Sequence, residues 1–136
     1  LKKIKNEGFV KILGYQNDIP ELYSRSHIIC LPSYREGLPK ALLEAAAASR
    51  AVVTTDVPGC RDAIIPNKTG ILVPVRNAEA LANAIQDLLE NPSKRINMGK
   101  AGRELAKKEF ALSNIVEAHL DIYKDLNRIR MSLWKE

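Results

Sequence analysis

Short apolar, β-branched runs alternate with stretches of helical periodicity along the chain. Residues 9–13 (Phe-Val-Lys-Ile-Leu), 27–31 (His-Ile-Ile-Cys-Leu), 51–55 (Ala-Val-Val-Thr-Thr) and 71–75 (Ile-Leu-Val-Pro-Val) read as four strands. A charged lead-in over residues 1–7 reads as the tail of a helix ended by Gly8. After the turn at residues 14–17, Asn17 or Asp18 can cap a helix to about Arg25, with Glu21 completing a capping box for Asp18 and Ile19, Leu22 and Tyr23 turned inward. Pro39 fits the first position of a further helix, which is apolar on every face except Glu44 between Ala41 and Ala48. That helix is expected to be buried on most sides. The turn at residues 56–59 leads into a brief helix around residues 61–64, and residues 66–70 form another turn. Strands separated by helices imply a parallel sheet, and hence an α/β fold of Rossmann-like type flanked by helices.

Three helices are expected to close the chain. The first starts at Asn77 and carries Leu81, Ile85 and Leu88 on one face. The second follows Asn91-Pro92-Ser93 and carries Met98, Leu105 and Phe110, with Gly99 and Gly102 weakening it or allowing close packing. The third starts at Ser113 and places Ile115, His119, Ile122, Leu126, Ile129 and Leu133 at alternating spacings of four and three, a continuous apolar stripe. His119, inside that stripe, reads as a packing histidine, and His27 as a structural residue opening a strand.

The stretch from Leu31 to Ala48 carries the candidate chemistry. A strand, a loop and a helix N-terminus succeed one another there, and open α/β sheets bind ligands beyond the carboxyl ends of their strands. Glu36, Lys40 and Glu44 recur every four residues. Each such step advances a helix by about 40° beyond a full turn, so the three are expected to form one drifting polar edge. Glu36 and Glu44 would then lie roughly 12 Å apart along the axis, too far for one small group to touch both. A long ligand with an anionic middle and hydroxyls at both ends fits that spacing. Free N–H groups near Gly37, Leu38 and Pro39 would favour the anion, and Gly37 lets a ligand approach the backbone. The plainer alternative is a surface ion pair between Lys40 and Glu44.

Pro32-Ser33, Glu36-Gly37-Leu38-Pro39 and Glu44-Ala45, in that order, resemble the signature of the retaining GT-B glycosyltransferases of family 4, whose hallmark is two glutamates with seven residues between them. The resemblance continues through residues 51–55, the Pro58-Gly59 turn, residues 69–73 and the helix after Ala78, and covers residues from about 9 to 110. It implies that Glu36, the catalytic-site candidate, contacts hydroxyls of the donor sugar, orienting the sugar rather than acting as a general base. It also implies that Gly37, Leu38 and Pro39 lie by the sugar and diphosphate, that Glu44 holds the ribose hydroxyls, and that Tyr15 and Ile19 lie beside the base. Asp62 stands where family members often carry a glutamate, which leaves that contact in doubt.

The resemblance further implies a nucleoside-diphosphate sugar donor such as a UDP-sugar, an acceptor sugar or lipid-linked sugar bound by an N-terminal domain, and no obligatory metal or other cofactor. The terminal helix of the family crosses to that partner domain. Residues 1–136 would be a fragment of the C-terminal nucleotide-sugar-binding domain, inactive alone, from an enzyme of polysaccharide or glycolipid biosynthesis in bacteria. The basic Arg and Lys pair that the family directs to the donor phosphates does not map onto Arg35 or Lys40. If the family's strand order holds, strands are missing between residues 9–13 and 27–31. Open sheet edges would follow, and with them rearranged pairing or an oligomer.

Composition narrows the classes. The chain has 136 residues, 46% hydrophobic, enough for one domain with a core. The net charge of +5 is modest; its C-terminal gathering (Lys124, Arg128, Arg130, Lys135) fits solvated helix faces, or contact with an anionic acceptor or with anionic lipid headgroups, peripheral at the inner face of the membrane. No nucleic-acid motif and no apolar run of membrane-spanning length occurs. Cys30, in an apolar strand, and Cys60, after a turn, make neither a disulfide framework nor a metal site, consistent with a reduced, cytoplasmic setting. A glycoside hydrolase would need its two carboxyls about 5–10 Å apart across one bond. A dinucleotide oxidoreductase would show Gly-x-Gly-x-x-Gly, which is absent. An epimerase of the same architecture lacks this motif set. The serious alternative is a non-catalytic interaction or dimerisation domain using the C-terminal apolar helix.

Overall fold

The computed structural model describes residues 9–133, with side chains to residue 130. The helix expected over residues 1–7 lies outside the described residues. The elements are α1 (Ile19–Arg25), β1 (Ile28–Leu31), α2 (Lys40–Ala47), β2 (Ala51–Thr55), α3 (Pro58–Ala63), β3 (Gly70–Val73), α4 (Ala78–Glu90), α5 (Pro92–Glu109) and α6 (Leu112–Leu133).

The three strands form one parallel sheet in the order β1-β2-β3. Ile28 pairs in register with Ala51, and Val52 with Gly70. β2 is the middle strand and all five of its residues are buried. Its side chains alternate between two cores, because successive strand residues point to opposite faces. Val52 packs with Leu42, Ala45, Cys60 and Ile64 on one face. Ala51 and Val53 pack with Val73, Leu88 and Met98 on the other. The hydroxyls at the end of β2 are satisfied locally: Thr54 Oγ1 donates to the Leu31 carbonyl at 2.8 Å, and Thr55 Oγ1 to the Ser33 carbonyl. These bonds tie the loop after β1 to the end of β2.

Residues 9–13 do not form the expected strand. They carry no helix or strand, and Phe9 is 90% exposed. A β-prone run needs a neighbouring strand to satisfy its ladder, and none stands beside it here. The sheet has neither a fourth strand nor rearranged pairing among the described residues, and β1 is left as an edge. Cys30 is accordingly exposed on β1 rather than buried, while Cys60 is buried. β3 stops at Val73, short of the expected Val75, because Pro74 has no N–H to continue a ladder. The brief third helix begins earlier than expected, with Pro58 in its first turn.

α1 is capped as expected: the Asp18 carboxylate accepts from the Glu21 N–H at 2.9 Å. α2 packs on the sheet and, alongside, on α5. Its buried residues are Leu42, Ala45 and Ala46, whereas Ala47 is exposed, so one flank is open instead of covered. α5 closes on α2 through its glycines. A Cβ on Gly99 would stand 2.8 Å from the Ser49 carbonyl carbon, and one on Gly102 would stand 3.6 Å from Ala46. Ser49 itself has φ of 59°, the turn that ends α2. Arg50, after α2, then reaches the end of α1 by donating to the Ser26 carbonyl at 3.1 Å.

α6 leaves the body of the domain. Ile115, Leu120, Ile122, Tyr123 and Leu126 are all exposed. His119 is exposed as well, with Nδ1 2.7 Å from the Ile115 carbonyl of its own helix, so it is not the packing residue expected from the stripe.

Candidate functional site

The loop between β1 and α2 emerges at the carboxyl edge of the sheet. Its geometry is set by three contacts. Thr55 holds the Ser33 carbonyl from below. Ser33 Oγ donates to Glu36 Oε1 at 2.6 Å, which fixes the half-buried carboxylate against its own loop. Gly59, at the start of α3, lies so close to the Glu36 and Gly37 carbonyls that no side chain would fit there; a Cβ would come within 2.7 Å of the Glu36 oxygen and nearer still to Gly37. On the opposite side Gly37 is open, with nothing within 4 Å of where its own Cβ would stand. The backbone of residues 36–37 is thus backed by α3 and free in front.

Two expectations need correction. Glu36 is not on the helix: α2 begins at Lys40, with Pro39 as its N-cap at φ −75° and ψ 113°. Pro39 is therefore the residue before the helix rather than its first position, since a ψ in the extended range does not continue a helical turn. The drifting polar edge is reduced to Lys40 and Glu44, and the 12 Å axial estimate does not apply across the loop. Gly37 and Leu38 belong to the loop, and Pro39 offers no N–H at all. The free helical N–H groups are those that open α2 at Lys40 and Ala41.

Lys40 Nζ and Glu44 Oε1 form the plain i,i+4 ion pair at 3.2 Å, with 87% of the Lys40 side chain and 37% of the Glu44 side chain exposed. Such a pair contributes little to stability, so Glu44 remains available to a ligand. Glu44 lines two hollows, one on each flank of α2. The first, about 370 Å3, runs between α1 and α2 and is bounded by Pro20, Tyr23 and Arg50. The second, about 450 Å3, runs between α2 and α5, with Arg103 and Phe110 opposite. Burial and the neighbouring Glu44 carboxylate raise the Tyr23 phenol above its ordinary range. Glu36 and Gly37 line neither hollow.

Tyr15 is 90% exposed and Ile19 half-buried; neither lines these hollows, and Pro20 and Tyr23 stand at the α1 wall instead. Tyr23 was legible in the sequence only as an inward residue of α1. Its closeness to Glu44 has no local signal, because it depends on how α1 packs on α2. Asp62 is exposed on α3, and the carboxylate paired with Arg61 is that of Asp56. Among the described residues no cluster of three or more His, Cys, Asp or Glu is placed to hold a metal ion. No described helix is long and apolar enough to cross a membrane.

The family model for glycosyl transferases group 1 matches residues 1–105. An N,N'-diacetylbacillosaminyl-diphospho-undecaprenol alpha-1,3-N-acetylgalactosaminyltransferase of Campylobacter jejuni is 36% identical over 118 residues, covering 87% of this chain and 31% of its own length. An alpha-maltose-1-phosphate synthase of Mycolicibacterium smegmatis is 35% identical over 115 residues, covering 80% of this chain and 30% of its own length. The chain therefore spans under a third of these relatives. Among solved structures, sucrose-phosphate synthase of Thermosynechococcus elongatus superposes with a TM-score of 0.76 at 35% identity over 79% of this chain and 27% of that one. HepE of Anabaena, solved with UDP, superposes with a TM-score of 0.86 over 91% of this chain and 34% of that one; at 22% identity it speaks for the fold alone. The strand–loop–helix arrangement around Glu36 and Glu44, the parallel sheet and these matches lead to one conclusion: the chain belongs to the group 1 glycosyltransferases and has the Rossmann-like architecture of their GT-B fold.

Proposed function

We propose that residues 1–136 are the nucleotide-sugar-binding part of the C-terminal domain of a retaining glycosyltransferase, one that moves a sugar from a nucleoside-diphosphate donor to an acceptor hydroxyl. The observation that carries this reading is the β1–α2 loop. Ser33 presents Glu36 at the carboxyl edge of the sheet, Gly59 backs the loop, and Gly37 leaves its front open. Glu36 would hold donor-sugar hydroxyls, with the Gly37 and Leu38 backbone beside the diphosphate and Pro39 setting the entry to α2. The opening N–H groups of α2 would stabilise the leaving diphosphate, where negative charge accumulates during transfer. Glu44, further along α2, would take the ribose hydroxyls, with Tyr15 and Ile19 toward the base. The Campylobacter relative is named as an N-acetylgalactosaminyltransferase, which supports sugar transfer; a UDP-sugar is the donor we propose.

The acceptor, a sugar or lipid-linked sugar, would be bound by an N-terminal domain of the parent, and this chain alone would not turn over. The parent would serve polysaccharide or glycolipid biosynthesis in the cytoplasm, at the inner face of the membrane. Calorimetric titration with UDP, GDP and several UDP-sugars, beside Glu44→Ala, tests the reading. Binding of one nucleotide that Glu44→Ala abolishes supports it. Silence of the complete parent chain in the same titration would sink the donor-site assignment.

The exposed stripe on α6 favours a second reading, in which the chain is a non-catalytic interaction or dimerisation module. Sedimentation equilibrium decides here: a dimer dispersed by Ile122→Glu, together with no nucleotide binding by the parent, would favour it.

A further inference from the structure

The carboxyl edge of the sheet holds a further hollow, of about 400 Å3, that the donor reading leaves unused. It is walled by Pro32, just past β1, by Thr55 from β2, Val73 from β3 and Leu81 from α4. Its size suits a small ligand of monosaccharide dimensions.

The polar groups around it are nearly all donors. Thr55 Oγ1 is already spent on the Ser33 carbonyl. Asn77 Oδ1 is spent capping α4, where it accepts from the Ala80 N–H at 2.9 Å, so the amide hydrogens of Asn77 remain. The Arg76 guanidinium carbon stands 5.6 Å from the centroid of the Tyr34 ring. Arg76 pairs with no carboxylate among the described residues, and no Asp or Glu lines the hollow. A guanidinium held over an aromatic face by its charge can still offer N–H groups to an oxyanion. Beside it, Val73, Leu81 and the Tyr34 ring offer an apolar surface suited to the C–H face of a sugar.

We infer that this hollow is a subsite for a phosphorylated sugar, with Arg76 and Asn77 on the phosphate and Tyr34 against the ring. Tyr34 lies two residues before Glu36 on the same loop, so the ligand would sit beside the proposed donor site. That neighbourhood rests on the donor-site reading; the binding itself does not.

Titration of the isotope-labelled chain, followed by amide and guanidinium NMR, tests it with three probes: glucose 1-phosphate, glucose and inorganic phosphate. Glucose 1-phosphate is expected to give saturable shifts at residues 34 and 76–78 and to bind more tightly than either of the other two. Arg76→Gln should weaken it about tenfold, the loss of one charge-assisted contact. Tyr34→Ala should weaken glucose 1-phosphate while leaving inorganic phosphate unchanged. Circular dichroism melting confirms that both variants fold. No saturable shift, or equal affinity in Arg76→Gln, overturns the subsite; inorganic phosphate binding as tightly as glucose 1-phosphate overturns its assignment to a sugar. Glu44→Ala serves to separate the two readings, because it should abolish UDP binding and leave glucose 1-phosphate binding intact. If UDP fails to bind while glucose 1-phosphate binds, the subsite stands and only its place beside a donor site falls.

Discussion

Gly59 packs directly on the Gly37 carbonyl, so the start of α3 forms the rear wall of the loop that carries Glu36. The neighbouring atoms are backbone and cannot rotate away. Gly59→Ala is therefore expected to cost about 1–3 kcal/mol, the range for overpacking a closed contact, or to push the loop outward. Urea denaturation measures the first. Nucleotide-sugar titration of the same variant measures the second, and the donor reading expects weaker binding of the sugar nucleotide than of the nucleotide alone.

The ion pair between Lys40 and Glu44 separates stability from binding. Both side chains reach solvent, so Lys40→Ala and Glu44→Ala should each change stability by no more than about 0.5 kcal/mol. Thermal melts check this. Only Glu44→Ala should remove UDP binding, so two variants of equal stability that differ in affinity would assign the effect to the carboxylate.

Tyr23 reports on Glu44 from the neighbouring helix. Burial and then the Glu44 carboxylate hold its phenol above the ordinary tyrosine range. A raised folded value means that the native state holds the proton more firmly than the unfolded chain. The resulting stability is fully present below the unfolded phenol value and is lost as pH rises through the folded one, so it matters only in alkali. Glu44→Gln should lower the Tyr23 titration part of the way toward normal, because burial remains. NMR titration of the Tyr23 ring reads this, and an unchanged midpoint would contradict the proximity of the two groups.

Gly99 and Gly102, one turn apart on α5, should respond in opposite directions. A Cβ at 99 would overlap the Ser49 carbonyl, and Gly99→Ala is expected to destabilise by about 1–3 kcal/mol. At 102 the nearest atoms are 3.6 Å away, an ordinary contact, so Gly102→Ala should be neutral or should stabilise by up to about 1 kcal/mol through helix propensity. Chemical denaturation of the two variants side by side distinguishes close packing from mere helix weakness.

Much of the fold was legible because its signals are local. The β-branched runs at 27–31 and 51–55, the Asp18 cap and the helix start at Asn77 each act within a few residues, and each appears where the pattern put it. The run at 9–13 carries the same local signal and fails, because pairing depends on a neighbour that the pattern of one segment cannot supply. Pro39 shows the same limit on a smaller scale. Its fixed φ suits both the first helical position and the position before it, and the path of the loop over α3 selects the latter.

The sequence by itself determined the α/β alternation, the family and the identity of Glu36 and Glu44 as the residues to watch, since these are properties of order and spacing. Tertiary structure alone decided that Glu36 leaves the helix and bonds Ser33, that Gly59 meets Gly37, that Tyr23 faces Glu44, and that Arg76 lies over the Tyr34 ring. Apart from the Ser33–Glu36 bond, these are contacts between segments far apart in the chain. They are created by packing helices onto the sheet, and no local propensity encodes which surfaces will meet.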